Sequence, residues 1–315
     1  MRINDFANLP LVEHPQNPIL LPPWPSPILA DPTFLPPSET PDGRWHLFAH
    51  TLFGIEHYSG LDGLVWQRHE RLCGNALRCF LLKHDGTFFL YYEKCNLMLP
   101  IVPGLAWSSH IEVRVSSDLW RFSEPMKVLA PCLPWHHEPG RGQAVGNPCV
   151  VPVGDTLRMY YSAGLVFLPD CGFCEPRFIG VAEAQSPLGP FVPASAPLLG
   201  EQGTAPHQVG AGAIKVLRAD DGFVGFQNAI YWVPDRAVSG SAIYMLGSSD
   251  GLSDFRPLRD QPILAPKPGG FMQSHVYALD ARVVQGGLRV YFNARDRSHW
   301  LVGKEAIGLL ATQSV

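Results

Sequence analysis

Acidic, amide, imidazole and indole side chains recur where the sequence pattern places the ends of short strands. Carboxyl groups donate or accept protons, amides and imidazoles hydrogen-bond in two directions, and indole rings offer a flat apolar face. Gathered around one pocket, this set suits a polyhydroxylated ligand, because each hydroxyl needs polar partners and the ring face needs an apolar one. The positions with these side chains are Asp31, His50, Asn75, Glu93, Trp135, Asn147, Glu175, His207, Asn228 and His275, and Arg295 adds a guanidinium group at a strand end.

These residues are positioned by a sequence repeat that occurs five times along the chain. It is a short apolar strand, a polar turn, an aromatic-rich strand ending in or near Tyr-Tyr, and a strand closing on Ser-Ser-Asp or Ser-Pro-Leu-Gly. The repeat predicts an all-β fold, a five-bladed β-propeller of four-stranded antiparallel blades. One domain, 1–315, is expected, with blades at approximately 28–72, 75–131, 146–200, 209–266, and 275–315 plus 17–22.

The last copy of the repeat lacks its outer strand. The segment NPILLP at 17–22 resembles the outer strands MKVLAP and QPILAP of other copies. We therefore expect residues 17–22 to pair beside residues 306–313, so that the N-terminal strand closes the last blade without an unpaired edge.

Strand direction then predicts where the site lies. In each antiparallel blade the starts of the first and third strands and the end of the second share one face. The polar set falls on that face. Turns such as Asp42-Gly43 and Asp155 fall on the opposite face, where an acidic residue serves the geometry of the hairpin.

Composition narrows the class of protein. Hydrophobic residues make up 46% of the chain and charged residues 17%, with a formal net charge of -4. This balance predicts neither nucleic-acid nor membrane binding. The N-terminal residues lack an apolar signal core, and seven cysteines favour free thiols, so we expect a cytoplasmic protein. The oligomeric state stays open.

Several motifs resemble the family-43 glycoside hydrolases and their five-bladed clan relatives. ILADPTFL followed by DGRWHLFAH resembles their first blade, IGVAEAQSPLGPF their third, and SHVYALD followed by GGLRVYFNA their last; SSDLWRF resembles one of their turns. The resemblance implies that Asp31 acts as a general base. It also implies that His275 lies beside a central cation, so a central calcium ion is an expected optional ligand, with no cofactor required.

Two positions depart from that family pattern. Asn147 stands where the family has a second Asp, and Ala211 and Gly212 stand where it has the Glu that serves as general acid. Hydrolysis of a glycoside requires one protonated and one ionised carboxyl group. Glu93, at the end of FFLYYE, is therefore predicted to be the acid; the alternative for Glu93 is an ion pair with Arg78.

Three functions remain open from the sequence. The first is a glycosidase that acts on a small glycoside or a terminal sugar, with inversion if Asp31 is a base. The second is a phosphorylase-like enzyme, which needs Arg141 or Arg295 turned into the pocket. The third is a carbohydrate-binding propeller that has lost its acid.

Three further segments carry separate expectations. Cys171 and Cys174 form a CxxC pair, for which a loop tying thiols near the pocket is favoured over zinc or redox chemistry. Residues 136–138, His-His-Glu, are expected to form a solvated loop. The apolar connection from Cys95 to Trp107 is predicted to cap the pocket or to cover a neighbouring subunit.

Overall fold

A computed structural model describes residues 1–96 and 106–313, and these residues are almost entirely β structure. The chain begins with a short helix, α1 (Ile3–Ala7), and a short strand, β1 (Leu11–Glu13). The other helical segments within the described ranges are single 3-10 turns at Pro37–Glu39, Pro134–His136 and Pro234–Arg236. No described helix is long and apolar enough to cross a membrane. Most of the apolar connection after Cys95, residues 97–105, lies outside the described residues.

The strands pair as antiparallel meanders that follow one another along the chain. Alternation of apolar and polar residues favours strands, and Gly, Asp and Pro residues end them. The first two meanders are β2 (Ala30–Leu35), β3 (Trp45–Thr51), β4 (Gly54–Gly60) and β5 (Gln67–Gly74), then β6 (Ala76–His84), β7 (Thr87–Cys95), β8 (Trp107–Ser116) and β9 (Met126–Leu129).

Short strands separate the second and third meanders, and a small hairpin interrupts the third. The short strands are β10 (His137–Glu138), which pairs with β11 (Gly142–Gln143), and β11 pairs in turn with β8. Since His136 is also buried, residues 136–138 do not form the expected solvated loop. The third meander is β12 (Val145–Val153), β13 (Thr156–Ala163), β16 (Phe178–Ala184) and β17 (Val192–Pro193), with the hairpin β14 (Val166–Leu168) and β15 (Phe173–Glu175) inserted after β13.

The remaining strands form the fourth and fifth meanders. They are β18 (Gln208–Ala219), β19 (Gly222–Val233), β20 (Val238–Ser248) and β21 (Arg256–Pro257), then β22 (His275–Val284), β23 (Gly287–Arg295) and β24 (Glu305–Thr312). A parallel contact between Ser241 and His275 joins the fourth and fifth into one sheet. The predicted all-β propeller fold is confirmed, while the number of blades stays a prediction.

The N-terminal segment completes the last meander, as predicted, but with a different strand. Strand β1 pairs antiparallel with β24, and Leu11 lies opposite Thr312. The expected segment, 17–22, contributes a single bridge from Leu20 to Ile307. Its prolines have no N–H to donate, which explains why it forms no regular ladder.

The tyrosines of the aromatic-rich strands connect neighbouring meanders. Tyr91, Tyr160 and Tyr291 are fully buried, and each hydroxyl donates to a backbone oxygen in a turn of the next meander. The acceptors are the carbonyls of Pro187, Gly251 and Gly63, at 2.7, 2.8 and 2.6 Å. Each tyrosine thus adds a satisfied hydrogen bond, about 1 kcal/mol, to the burial of its ring.

Candidate active site

Every innermost strand bulges at the same step. In β2, β6, β12 and β22 one extra residue interrupts the pairing with the following strand, and β18 has two such interruptions, the second between Gly210 and Ala213. In four of them the bulge contains a residue with left-handed backbone: Asp31 (φ 50°), Arg78 (φ 52°), Asn147 (φ 49°) and Gly212 (φ 64°). Such backbone costs a non-glycine residue roughly 1–2 kcal/mol, and bulges of this kind redirect side chains beside active sites.

The bulges surround one cavity. It encloses about 830 Å³ when its open mouth is included. All five inner strands contribute to its wall, together with the ends of β3 and β23, the middle of β19, the hairpin strand β15 and the start of β24. Of the polar positions singled out in the sequence, the wall contains Asp31, His50, Asn147, Glu175, Asn228 and Arg295.

Asp31 lies beside His50 in the wall. The Asp31 Oδ2 and His50 Nδ1 atoms are 3.3 Å apart, and the backbone N–H of Arg78 also donates to that Nδ1, at 3.2 Å. Burial lowers the pKa of His50 to about 4, so the ring is neutral and the contact with Asp31 is not an ion pair. Burial raises the pKa of Asp31 above its ordinary value, although the positive charges of Arg78 and Lys215 oppose the rise.

Glu175 is a buried carboxyl group that faces the cavity and has no partner among the residues that the structure describes. It ends the hairpin strand β15, and only 6% of its surface is exposed. No described residue makes a hydrogen bond or an ion pair with its carboxyl oxygens. Burial raises the pKa of Glu175 from 4.5 to about 7, with Arg78 and Arg295 opposing the shift and Glu305 and Asp31 adding to it.

Glu93 has the environment of a structural ion pair. Arg78 Nη1 donates to Glu93 Oε2 at 2.9 Å, and Trp107 Nε1 lies 3.2 Å from Oε1. Glu93 has no exposed surface and is absent from the described cavity wall, whereas Arg78 and Trp107 are part of it. The ion pair considered as an alternative for Glu93 is therefore present.

A second buried ion pair holds the opposite part of the wall. Arg295 Nε donates to Glu305 Oε1 at 2.7 Å, its Nη2 contacts the same oxygen, and its Nη1 donates to the Ser298 carbonyl at 2.9 Å. Asn293 donates to the other Glu305 oxygen at 2.9 Å and accepts the Asp31 N–H at 3.0 Å. The network thereby fixes the backbone of Asp31.

The fourth meander offers no room for the family's acid. At Gly212 a β-carbon would lie 2.0 Å from the Asn228 carbonyl oxygen and 2.2 Å from its Oδ1. Asn228 Oδ1 accepts the Ala213 N–H at 2.7 Å, which holds the amide against the glycine. Any side chain at position 212 would therefore displace the backbone, and position 211 is fully buried.

Four more of the sequence-selected residues lie away from the cavity wall. Asn75 and His207 are exposed and have left-handed backbone. Trp135 packs against Tyr161, and its Nε1 donates to the Ser195 carbonyl at 3.0 Å. His275 is buried behind the wall.

His275 has a thiol for a neighbour. Its Nε2 lies 3.6 Å from Cys171 Sγ and 3.2 Å from Ser239 Oγ. Calcium prefers an all-oxygen shell, so this donor set fits the expected calcium ion poorly. Both thiols of the CxxC pair are free, and Cys174 lines the cavity.

Arg78 and Tyr277 are wall residues that the strand-start pattern missed. Strand starts chosen by polarity select Asn75 in the second meander, but the bulge lies three residues later. The apolar pairs that follow the bulge were the available signal: Phe34-Leu35, Leu81-Leu82 and Val150-Val151 align Arg78 with Asp31 and Asn147.

Comparison with solved structures identifies relatives in fold. The chain is similar to an N-acetylgalactosamine deacetylase from F. plautii in complex with blood group B trisaccharide, with a TM-score of 0.67 and 12% identity over 90% of this chain and 89% of that one. It is also similar to a thermostable family-43 glycoside hydrolase, with a TM-score of 0.60 and 13% identity over 90% and 88% of the two chains.

A third similar structure comes from the GH130 family of mannoside phosphorylases, described as containing glycoside hydrolases that target β-1,2 mannosidic linkages in Candida mannan. Its TM-score is 0.62, with 12% identity over 94% of this chain and 92% of that one. No protein-family model and no curated protein matches the chain. At these identities the matches show the fold, and they confirm the resemblance to family 43 and its clan at that level.

Proposed function

We propose that this protein is a glycosidase of the propeller clan, with Glu175 as general acid and Asp31 as general base. The observation that carries the proposal is the Glu175 carboxyl group, which is buried, faces the cavity with no partner in the described part of the chain, and has its pKa raised to about 7. A carboxyl group of this kind is protonated in a large fraction of molecules near neutral pH, as a general acid must be.

The reaction uses the two carboxyl groups in opposite protonation states. Glu175 donates its proton to the glycosidic oxygen as the bond from that oxygen to the anomeric carbon breaks. Asp31, ionised, accepts a proton from the water whose oxygen attacks that carbon. After release of both products Glu175 regains its proton from solvent and Asp31 loses one.

Assignment of the acid to Glu175 instead of Glu93 follows from their partners. The Glu93 carboxylate already accepts from Arg78 and lies near the Trp107 indole, and it is behind the wall. A proton on Glu93 would weaken the ion pair with Arg78. Glu175 makes no such bond within the described residues and faces the space that a sugar would occupy.

The rest of the wall suits a sugar of small size. Amide groups of Asn147 and Asn228 and the ring of His50 provide hydrogen-bonding partners for hydroxyls, and the indoles of Trp107 and Trp300 provide apolar surface. The substrate class we propose is therefore a small glycoside or the terminal sugar of an oligosaccharide.

Phosphorolysis is a weaker candidate on the described contacts. Arg141 stacks over Phe167 and is absent from the cavity wall. Arg295 lines the wall, but Glu305 and the Ser298 carbonyl occupy donors on three of its nitrogens. A phosphate ion would have to compete with Glu305 for the guanidinium.

The test is a turnover assay on aryl glycosides and unactivated oligosaccharides, each with and without phosphate, and including N-acetylated amino sugars. We expect Asp31→Asn to abolish turnover of every substrate. Glu175→Gln should lose roughly 10²–10⁴-fold on oligosaccharides and much less on activated aryl glycosides, which need no protonation to depart. The exposed Glu124→Gln is the matched control and should match wild type.

Each other outcome has a defined meaning. If Glu93→Gln abolishes turnover while Glu175→Gln does not, and both variants remain folded, the acid is Glu93 and our assignment fails. Turnover that requires phosphate identifies a phosphorylase, and release of acetate identifies a deacetylase. A wild-type protein that is inert on the whole panel, yet melts at a higher temperature with a sugar present, is a binding propeller.

A further inference from the structure

Four potential metal-ligand groups meet behind the cavity wall, at the contact between three meanders. Asp170 and Cys171 lie in the turn of the hairpin that joins β14 to β15, Ser239 lies in β20, and His275 begins β22. One ligand atom from each of Asp170, Cys171 and His275 lies within 4.8 Å of the others. Cys171 and His275 have no exposed surface.

Three of these four ligand atoms are spaced much like the corners of a tetrahedral zinc site, and Asp170 lies close to them at a less regular spacing. Zinc bonds of about 2.3 Å to sulfur and 2.0–2.1 Å to nitrogen or oxygen, at the tetrahedral angle, place ligand atoms roughly 3.3–3.6 Å apart. Cys171 Sγ and His275 Nε2 are 3.6 Å apart. Ser239 Oγ is 3.2 Å from each of them. The Asp170 Oδ2 atom is 4.0 Å from Cys171 Sγ and accepts from Ser239 Oγ at 2.9 Å, so the carboxylate has to move slightly to complete the tetrahedron.

The groups around the cluster orient its ligands. Ser274 Oγ lies 2.7 Å from His275 Nδ1, so Nδ1–H can donate to this hydroxyl while the Nε2 lone pair faces the cluster. The Ser239 backbone N–H donates to Asp170 Oδ2 at 2.9 Å and fixes that carboxylate. Outer hydrogen bonds of this type hold the ligands of metal-binding histidines and carboxylates in structural sites.

We propose that Asp170, Cys171 and His275 bind a zinc ion, with the Ser239 hydroxyl in the fourth position. The thiolate, carboxylate and imidazole are the donor types that zinc prefers, and the sulfur excludes calcium as the favoured ion. On binding, the thiol of Cys171 loses its proton to solvent and a zinc–sulfur bond forms, without any change of oxidation state. The thiolate and carboxylate then balance the charge of the ion.

The ion would tie the hairpin to the fourth and fifth meanders. That hairpin contributes Phe173, Cys174 and Glu175 to the cavity wall. A metal at its turn would therefore fix the wall from behind, without contacting the cavity. The site is independent of the proposed function, since a propeller that only binds sugar would need the same wall.

The test is the metal content of the untagged full chain after growth in zinc-supplemented medium and dialysis. We expect about one zinc per chain by elemental analysis for wild type and a near-complete loss in Cys171→Ser and Asp170→Asn. Cys174→Ser is the matched control, because it removes the other thiol of the same turn and should keep the zinc. Cobalt loaded in place of zinc should show a thiolate-to-metal absorption band that Cys171→Ser loses.

A second measurement covers variants that fail to fold. Wild type treated with a chelator should melt at a lower temperature, and zinc, but not calcium, should restore it. The proposal is overturned if wild type binds neither zinc nor cobalt and its melting temperature does not change on addition of chelator or zinc. Equal loss of zinc in Cys174→Ser and Cys171→Ser also overturns it. The cluster would then be a hydrogen-bonded network of thiol, hydroxyl and imidazole.

Discussion

The Glu93 carboxylate lies between Arg78, 2.9 Å away, and Gly146, where an added β-carbon would meet Glu93 Oε2 at 1.8 Å. The ion pair of the second meander is therefore packed directly onto the inner strand of the third. Asn147 follows Gly146, so this contact also supports the backbone of a cavity residue. The pair is part of the framework that shapes the cavity.

Removal of Arg78 should destabilise the fold more than removal of the whole pair. Arg78→Met leaves Glu93 buried and uncompensated, and we expect the free energy of unfolding to fall by about 3–5 kcal/mol. The double variant Arg78→Met/Glu93→Gln should recover part of that loss. Urea denaturation of wild type, both single variants and the double variant measures the coupling. Strictly additive effects would contradict the role assigned to the pair.

Gly212→Ala should lower the free energy of unfolding far more than an alanine at another glycine with left-handed backbone does. The new β-carbon would lie 2.0 Å from the Asn228 carbonyl oxygen. Gly86→Ala is the matched control, since its φ of 74° imposes a similar backbone penalty and, apart from its chain neighbours, no described residue has an atom within 4 Å of the place that its methyl group would occupy. We expect roughly 1–2 kcal/mol for the control and a clearly larger loss for Gly212→Ala, measured by thermal unfolding. Equal losses would mean that the inner strand shifts to admit the methyl group.

Glu175 should make the stability of the fold depend on pH. Its pKa rises from 4.5 to about 7 on folding, so the folded protein binds the proton more tightly than the unfolded chain. The stabilisation that this gives is complete below about pH 4.5 and is lost as the pH rises through 7. The free energy of unfolding of Glu175→Gln, measured relative to that of wild type, should therefore increase by up to roughly 3 kcal/mol between pH 4 and pH 8. A stability difference that stays flat over this range would rule out the raised pKa.

Enzymatic activity should follow the same two carboxyl groups. Protonated Glu175 is required, so the rate should fall as the pH rises through about 7. Ionised Asp31 is required as well, so the rate should also fall at acid pH, with a midpoint above the ordinary pKa of 3.8. The measurement is a profile of kcat/KM against pH, with Glu124→Gln as the control that should leave both limbs in place.

Deletion of residues 1–14 should open the last meander. Without β1, the edge of β24 from Leu310 to Thr312 loses its partner. We expect a lower melting temperature and self-association at high concentration, because an unpaired edge accepts strands from other chains. Val12→Thr, at a half-exposed position of the same strand, is the control and should remain monodisperse if wild type is. Light scattering of the three proteins decides the matter.

The repeat of strands was readable from the sequence because each copy alternates apolar and polar residues and ends on turn residues. Closure by the N-terminal segment could also be predicted, since the last copy lacked a strand. The register of this pairing could not be predicted, because prolines around Leu20 shift the paired segment to Leu11–Glu13.

Side-chain chemistry was less readable than strand order. Asp31, Asn147 and Glu175 were selected from the sequence and line the cavity. The bulge that turns Arg78 toward the cavity is a change of backbone conformation that no particular residue type marks in the sequence. The polar set was expected at the starts of first and third strands and the ends of second strands, whereas Glu175 ends a separate hairpin before β16. Which acid is ion-paired, and which has no partner among the described residues, depends on packing between meanders, as Glu93 and Gly146 illustrate.

The pairing of Leu11–Glu13 with Leu310–Thr312 also fixes an order of events. During synthesis the chain emerges from its N-terminal side, so β1 must wait unpaired until almost all the other strands have been made. Contacts between the two extremes of a chain carry a large loop-closure entropy and form slowly. Ring closure is therefore expected to be the last and slowest step of folding. Until then, the exposed edge of β24 is the surface that a chaperone would need to shield.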